Sequence, residues 1–352
     1  MNIIKNIIFI TLFLNNSLFL TVHAVIPVNN YSFEENIIPS HDNTKMYTLF
    51  LPALINHPDN PTILWIHGYG KHSHYMLEAM HHLAEHGYNS IGFDVREHGR
   101  TEKNGYTARD TFIDASQDLE NIYDYYQQKI TGKFFIVAHS MGSLVAIRHL
   151  QETPNTALPI DAIILSAPCF GVHAQHMSLL KIFYIKTLGY LMPSLEYSTK
   201  EEDLKNPATR DEQYLHYESQ DPLIVNTINL GLASLSLYHV SQALQLAHTI
   251  SIPTHILMSE LDKTVDNQKI HEFYHSLSPT LEKSLTLCHD MNHSLLNELG
   301  REYIFEKIHE IFQHYLPNNL QTTHSLFINP DNKLSGPQPL LSTLYTTANI
   351  LL

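Results

Sequence analysis

Short, largely apolar runs alternate along this chain with stretches in which apolar positions recur at helical spacing. "MYTLFL" at 46–51, "TILWI" at 62–66, "SIGFDV" at 90–95 and "FFIV" at 134–137 have the length and β-branched content of strands. A strand that stays apolar at successive positions is buried on both faces, as in a parallel sheet. Further strands are predicted ending near Ser166, at 253–259 and at 284–288. Between them, Phe112, Ile113, Leu119, Ile122 and Tyr126 share one helix face, and "MGSLVAIRHL" at 141–150 reads as a helix. Strand and helix in alternation predict a single α/β domain whose central sheet is mainly parallel and flanked by helices.

Short polar motifs punctuate the ends of these strands. The serine strand ends in "AHSMG" and turns directly into the helix, so Ser140 projects from a sharp strand-to-helix turn with Gly142 beside it. An ordinary tight turn accounts for that motif alone, and the rest of the chain decides. A serine becomes a nucleophile only when a base takes its proton and an acid holds that base. Asp262 follows the strand at 253–259, and His293 follows the strand at 284–288, which gives the order Ser, Asp, His. Asp266 reads instead as the N-cap of the helix in "NQKIHEFYHSL", and His289 and Asp290 sit beside the last strand as weaker competitors. The "HGYG" loop at 67–70 follows a buried strand, and its glycines let the backbone point amides at a ligand or simply turn. Tyr69 N–H and Met141 N–H are the candidate oxyanion donors.

Two histidine pairs at i, i+4 raise metal binding. "HEFYH" at 271–275 matches the zinc-protease motif, but Ile270, Phe273, Tyr274 and Leu277 make the inward face, which leaves His271 and His275 outward with no third ligand. His82 and His86 receive the same structural explanation. No metal and no cofactor is called for by the chemistry, and 25 histidines make such pairs common by chance. Asp94, Arg96 and His98 in "DVREHGR" read as structural support for the turn.

Taken in order, "WIHGYGKHSHYMLEAMHHLAEHGYNSIGFDVREHGRTE", "VAHSMGSLVAIRHL", "SELDKTVD" and "NHSLLNE" resemble the monoglyceride lipase and lysophospholipase branch of the serine α/β-hydrolases, from about residue 44 to 316. The resemblance implies an α/β-hydrolase fold, Ser140, Asp262 and His293 as the triad, and Tyr69 and Met141 as oxyanion donors. It implies hydrolysis of a small-molecule or lipid ester through an acyl-enzyme. The chain departs from the pattern at Ala138, where a glycine is usual, at Lys71, where an acid is usual, and at His74, where an arginine is often found. These departures bear on recognition of a glycerol headgroup more than on catalysis. Acyl transfer, peptide hydrolysis, or a binding protein on the same fold are the alternatives.

The stretch from Ser166 to Pro253 is far too long for a simple connection and predicts an inserted helical lid at about 172–247. Its first part, "MSLLKIFYIKTLGYLMPSL", is apolar enough to pack partly on the domain and partly over Ser140 as an acyl groove, with transient contact to a membrane surface. Residues 1–24 read as a signal peptide, with Lys5 before "IIFITLFL" and "VHA" as cleavage site, so a secreted or periplasmic location is expected. The hydrolase domain is then 25–318, and the proline-interrupted tail at 319–352 is expected to be a poorly ordered extension. A net charge of −14 excludes a nucleic-acid partner on electrostatic grounds. The two cysteines, Cys169 and Cys288, leave one disulfide open.

Overall fold

The computed structural model describes residues 32–103, 111–153, 158–173, 178–199, 206–318 and 320. The expected signal peptide, and all of the C-terminal extension except Leu320, lie outside the described residues. Leu320 itself is buried against the domain.

Eight strands form the central sheet: β1 (Glu34–Pro39), β2 (Lys45–Leu51), β3 (Thr62–Ile66), β4 (Asn89–Phe93), β5 (Phe134–His139), β6 (Ile160–Ser166), β9 (Thr254–Ser259) and β10 (Lys283–Cys288). Their spatial order is β1-β2-β4-β3-β5-β6-β9-β10. Pairings from β4 onward are parallel, and β2 joins β1 and β4 antiparallel. The strands expected from the sequence are present, with ends shifted by a few residues, and β1 is an addition. Its residues are largely exposed and carry no apolar run, so hydropathy alone gives it no signal.

The apolar runs are explained by burial on both faces. Leu64, Ile66, Ile136 and Ala138 belong to one core, packed under α2 (Thr111–Tyr126), α3 (Met141–Glu152), α6 (Leu230–Gln245) and α7 (Asn267–Ser276). Their neighbours Ile63, Trp65, Phe135 and Val137 belong to the other, packed under α1 (Leu77–Glu85) and α8 (Glu302–Gln313). Each such side chain contributes about 1.5–3 kcal/mol by leaving water.

Between β6 and β9 the lid contains α4 (Leu179–Leu191), a two-stranded ribbon of β7 (Glu196–Ser198) and β8 (Thr227–Asn229), α5 (Glu212–Gln220) and α6. Here the structure differs from the expectation for the apolar stretch. Within α4 only Gly189 is buried, where an added Cβ would stand 2.4 Å from Leu230 O. Close approach of α4 to α6 at that glycine lifts the helix off the domain and leaves Leu179, Leu180, Phe183, Tyr184 and Tyr190 facing outward.

Candidate active site

Parallel strands bring their C-terminal ends to one edge of the sheet, and the motif residues follow directly from those ends. β5 ends at His139, and the next residue, Ser140, has φ 51° and ψ −118°. A non-glycine residue in that region is strained, and the turn holds it there. Ser140 N–H donates to Ser166 O, while Ser140 O accepts from Ser143 N–H and Cys169 N–H. Gly142 is required by close approach, because a Cβ would meet Ile66 O at 2.4 Å. Ala138 is fully buried beside Ile66, where its one methyl fits in place of glycine.

The structure brings Ser140, His293 and Asp262 into one chain of hydrogen bonds. His293 Nε2 lies 2.9 Å from Ser140 Oγ, and His293 Nδ1 lies 2.8 Å from Asp262 Oδ2. All three residues are buried. Burial opposes ionisation of Asp262, but the charge and hydrogen bond of His293 and the amides of Val265 and Thr264 outweigh it and hold the carboxyl below its ordinary value. Oδ1 accepts both amides, at 2.9 and 2.8 Å, so Oδ2 is aimed at the imidazole. Asp266 caps α7 by accepting from Gln268 N–H, as its sequence position indicated.

The "HGYG" loop lies against the serine. A Cβ on Gly68, the residue before Tyr69, would stand 3.1 Å from Ser140 Cβ. Met141 N–H opens α3, at a helix start where the first amides have no intrahelical acceptor. The loop is anchored from below by Asp94, whose carboxylate accepts from Ser73 N–H and Arg100 N–H, at 2.7 and 2.8 Å. Arg96 is fixed by Asp118 and Asp42, and His98 Nδ1–H donates to Arg96 O. These three residues act as scaffold.

Several supporting residues carried no sequence signal. Glu298 is fully buried and accepts from Asn292 N–H and Arg210 N–H, at 3.1 Å each, which fixes the loop that presents His293. His139 stands 5.1 Å from the His293 ring, and burial lowers it to about 3, so it stays neutral. A cavity of about 480 Å³ opens beside His293, lined among others by Arg210, Lys263 and Asn292. Cys169 and Cys288 are free thiols. His271 and His275 are both exposed on α7.

A nucleophile elbow on a mainly parallel eight-stranded sheet, with a histidine and an acid delivered after later strands, defines a serine hydrolase of the α/β-hydrolase fold. The chain belongs to the Hydrolase_4 family, described as serine aminopeptidase S33, whose model matches residues 57–300. It is 28% identical over 257 residues to an uncharacterized abhydrolase domain-containing protein of Dictyostelium discoideum, covering 71% of this chain and 26% of that protein. The chain thus spans about a quarter of the length of that relative. It is 26% identical to phospholipase YtpA of Bacillus subtilis, covering 52% of this chain and 68% of that protein. It is 22% identical to monoglyceride lipase of Rattus norvegicus, covering 70% and 78%. Among solved structures, a soluble variant of monoglyceride lipase from Saccharomyces cerevisiae in complex with a substrate analog superposes with TM-score 0.70 at 20% identity, covering 85% of this chain and 99% of that one. The resemblance read from the motifs and the fold expected from it both stand.

Proposed function

We propose that this chain is a carboxylester hydrolase of single-chain lipid esters, monoacylglycerols or lysophospholipids, with Ser140 as nucleophile, His293 as base and Asp262 as the acid that orients it. The observation that carries the reading is the Asp262–His293–Ser140 chain of hydrogen bonds at 2.8 and 2.9 Å. His293 accepts the Ser140 proton as Oγ attacks the ester carbonyl, and the oxyanion is held by Tyr69 N–H and Met141 N–H. The alcohol leaves with the proton from His293, and water repeats the cycle on the acyl-enzyme. Asp262 stabilises the imidazolium and keeps its own charge.

Lipid esters are favoured by the outward apolar face of α4, where Leu179 and Tyr190 are each 87% exposed. So large an exposed patch suits contact with a lipid surface. The names of the relatives, a phospholipase and monoglyceride lipases, point the same way. Export to a secreted or periplasmic location is part of the proposal and rests on the leader pattern at 1–24.

Measuring kcat/KM over a p-nitrophenyl ester series from two to sixteen carbons, below micelle formation, tests the substrate class. Each buried CH₂ is worth about 0.8 kcal/mol, so kcat/KM rises with chain length until the groove is full. A maximum at acetate with a steep fall would overturn the lipid reading. The family description favours one second reading, a peptidase. Turnover of aminoacyl p-nitroanilides faster than of any ester would establish it.

A further inference from the structure

The first and last helices of the domain meet at a cluster that the hydrolase chemistry does not use. His82 and His86 stand one turn apart near the end of α1, and Glu306 faces them from α8. Their equation with the outward pair His271 and His275 does not survive, because here a second helix supplies a third donor. Their three nearest ligand atoms all lie within 4.8 Å of one another. Glu306 Oε1 is 3.0 Å from His82 Nε2 and 4.0 Å from His86 Nε2. Two ligand atoms bound at about 2.05 Å to one tetrahedral ion stand about 3.3 Å apart, so a small closing movement gives every spacing a common cation.

The cluster has features of a built site. His82 Nε2 is buried and faces Glu306 Oε1 at 3.0 Å without the alignment of a hydrogen bond, a spacing that two ligands of one ion also show. His86 Nδ1–H donates to His82 O at 2.8 Å. That bond fixes the tautomer and leaves the Nε2 lone pair of His86 aimed toward Glu306, the outer-sphere arrangement that orients metal-binding histidines. His309, one turn beyond Glu306, packs its ring 4.5 Å from that of His86 and restrains the plane. Glu306 is about half exposed, so the site is reached from solvent.

We propose that His82, His86 and Glu306 bind a divalent transition-metal ion, zinc by the chemistry of two imidazoles and one carboxylate. The ion clasps α1 to α8. α1 runs back from the "HGYG" loop and its last turn leads into the start of β4, so the site lies at the sheet edge opposite Ser140. Its role is therefore structural, and catalysis proceeds without it.

The test uses the full chain stripped with a chelator and titrated calorimetrically with ZnCl₂, beside His82→Gln, Glu306→Gln and, as a control, His271→Ala. The wild type and His271→Ala are expected to bind one more equivalent than the other two. With zinc about 100-fold above its Kd, their Tm rises by about 4–5 °C and falls back on chelation. Hydrolysis of p-nitrophenyl butyrate by the metal-free variants reports that they are folded. Equal stoichiometry in wild type and His82→Gln, or a wild-type Tm unmoved by zinc, overturns the proposal.

Discussion

Four buried imidazoles make stability fall steeply toward acid. His67, His74, His98 and His139 are each lowered from 6.5 to about 3, with burial the largest cause in every case. Neighbours add to it: His72 near His67, Arg100 near His74, His67 near His98 and His293 near His139. In the unfolded chain all four titrate near the ordinary value of about 6.5. Between those limits the unfolded state binds more protons, so stability is complete above about pH 6.5 and is lost as pH falls toward 3. One group contributes at most about 1.4 kcal/mol per pH unit, and four set a limit of about 5 kcal/mol per unit. A domain at the lower end of the usual range of about 5–15 kcal/mol then unfolds before its carboxylates protonate. Asp42 and Asp262 are lowered by partners and add the same sign of dependence, but only in the carboxylate range, so pH 4.5–6.5 isolates the histidines. Urea unfolding at half-unit steps from pH 7.5 to 5 measures the slope. His98→Gln is the diagnostic variant, since His98 donates to Arg96 O and its buried Nε2 has no partner. It is expected to remove at most about a quarter of the slope, because His82, His149 and His255 are lowered by burial too and add to it. A stability flat from pH 7 to 5, or an unchanged slope in His98→Gln, would refute the reasoning.

Asp262→Asn keeps the fold and lowers kcat about 10⁴-fold, because the wrong imidazole tautomer then faces Ser140; single-turnover kinetics and circular dichroism check both halves. Gly142→Ala sets a Cβ against Ile66 O and His67 O and is expected to cost about 1–3 kcal/mol or more in urea unfolding. Glu298→Ala leaves Asn292 N–H and Arg210 N–H without their acceptor, and thermal melting should register a loss of roughly 2 kcal/mol or more alongside a lower kcat. Leu180→Ser combined with Phe183→Ser removes exposed apolar surface from α4, so cosedimentation with phosphatidylcholine vesicles drops while hydrolysis of dissolved p-nitrophenyl butyrate is unchanged.

The catalytic edge was legible because each of its residues follows a strand whose apolar run is visible without any tertiary information. Thr62–Ile66 and Phe134–His139 are buried on both faces, and double burial is what makes a strand readable. β1 was not legible for the opposite reason, since its residues are mostly exposed and are held by the backbone ladder to β2 and by polar contacts such as Glu35 with Tyr47 OH and Asn36 with Tyr126 OH. The pair His82 and His86 carries no sequence signal of its own because its meaning depends on Glu306, more than two hundred residues away on α8. Spacing within one helix cannot show what a second helix brings to it. The apolar content of α4 was legible, but its direction was not. A helix whose apolar residues surround it has no preferred face, and the contact at Gly189 rather than hydropathy decides which side meets α6.

The unusual residues of the "HGYG" loop become intelligible through the same long-range logic. Lys71 pairs with Glu218, and its ammonium lies 5.2 Å from the centre of the Tyr75 ring. His72 Nε2 lies 2.9 Å from Asp221 Oδ2, with both side chains fully buried. Gly70 O accepts from Val225 N–H at 2.9 Å, and Tyr69 OH donates to Thr227 O. Four consecutive residues of the loop are thus tied to one stretch of the lid, from the end of α5 to β8. A carboxylate at position 71 would repel Glu218 where Lys71 attracts it, so the lysine follows from the lid this chain carries. His74 likewise faces Tyr47, whose hydroxyl stands 2.8 Å from its Nε2, and there an arginine would have to bury its charge. The loop that carries Tyr69, the proposed oxyanion donor, and the lid segment at 218–227 therefore hold each other's position, and a change in the lid at Glu218 or Asp221 reaches the backbone near Ser140 without touching Asp262 or His293.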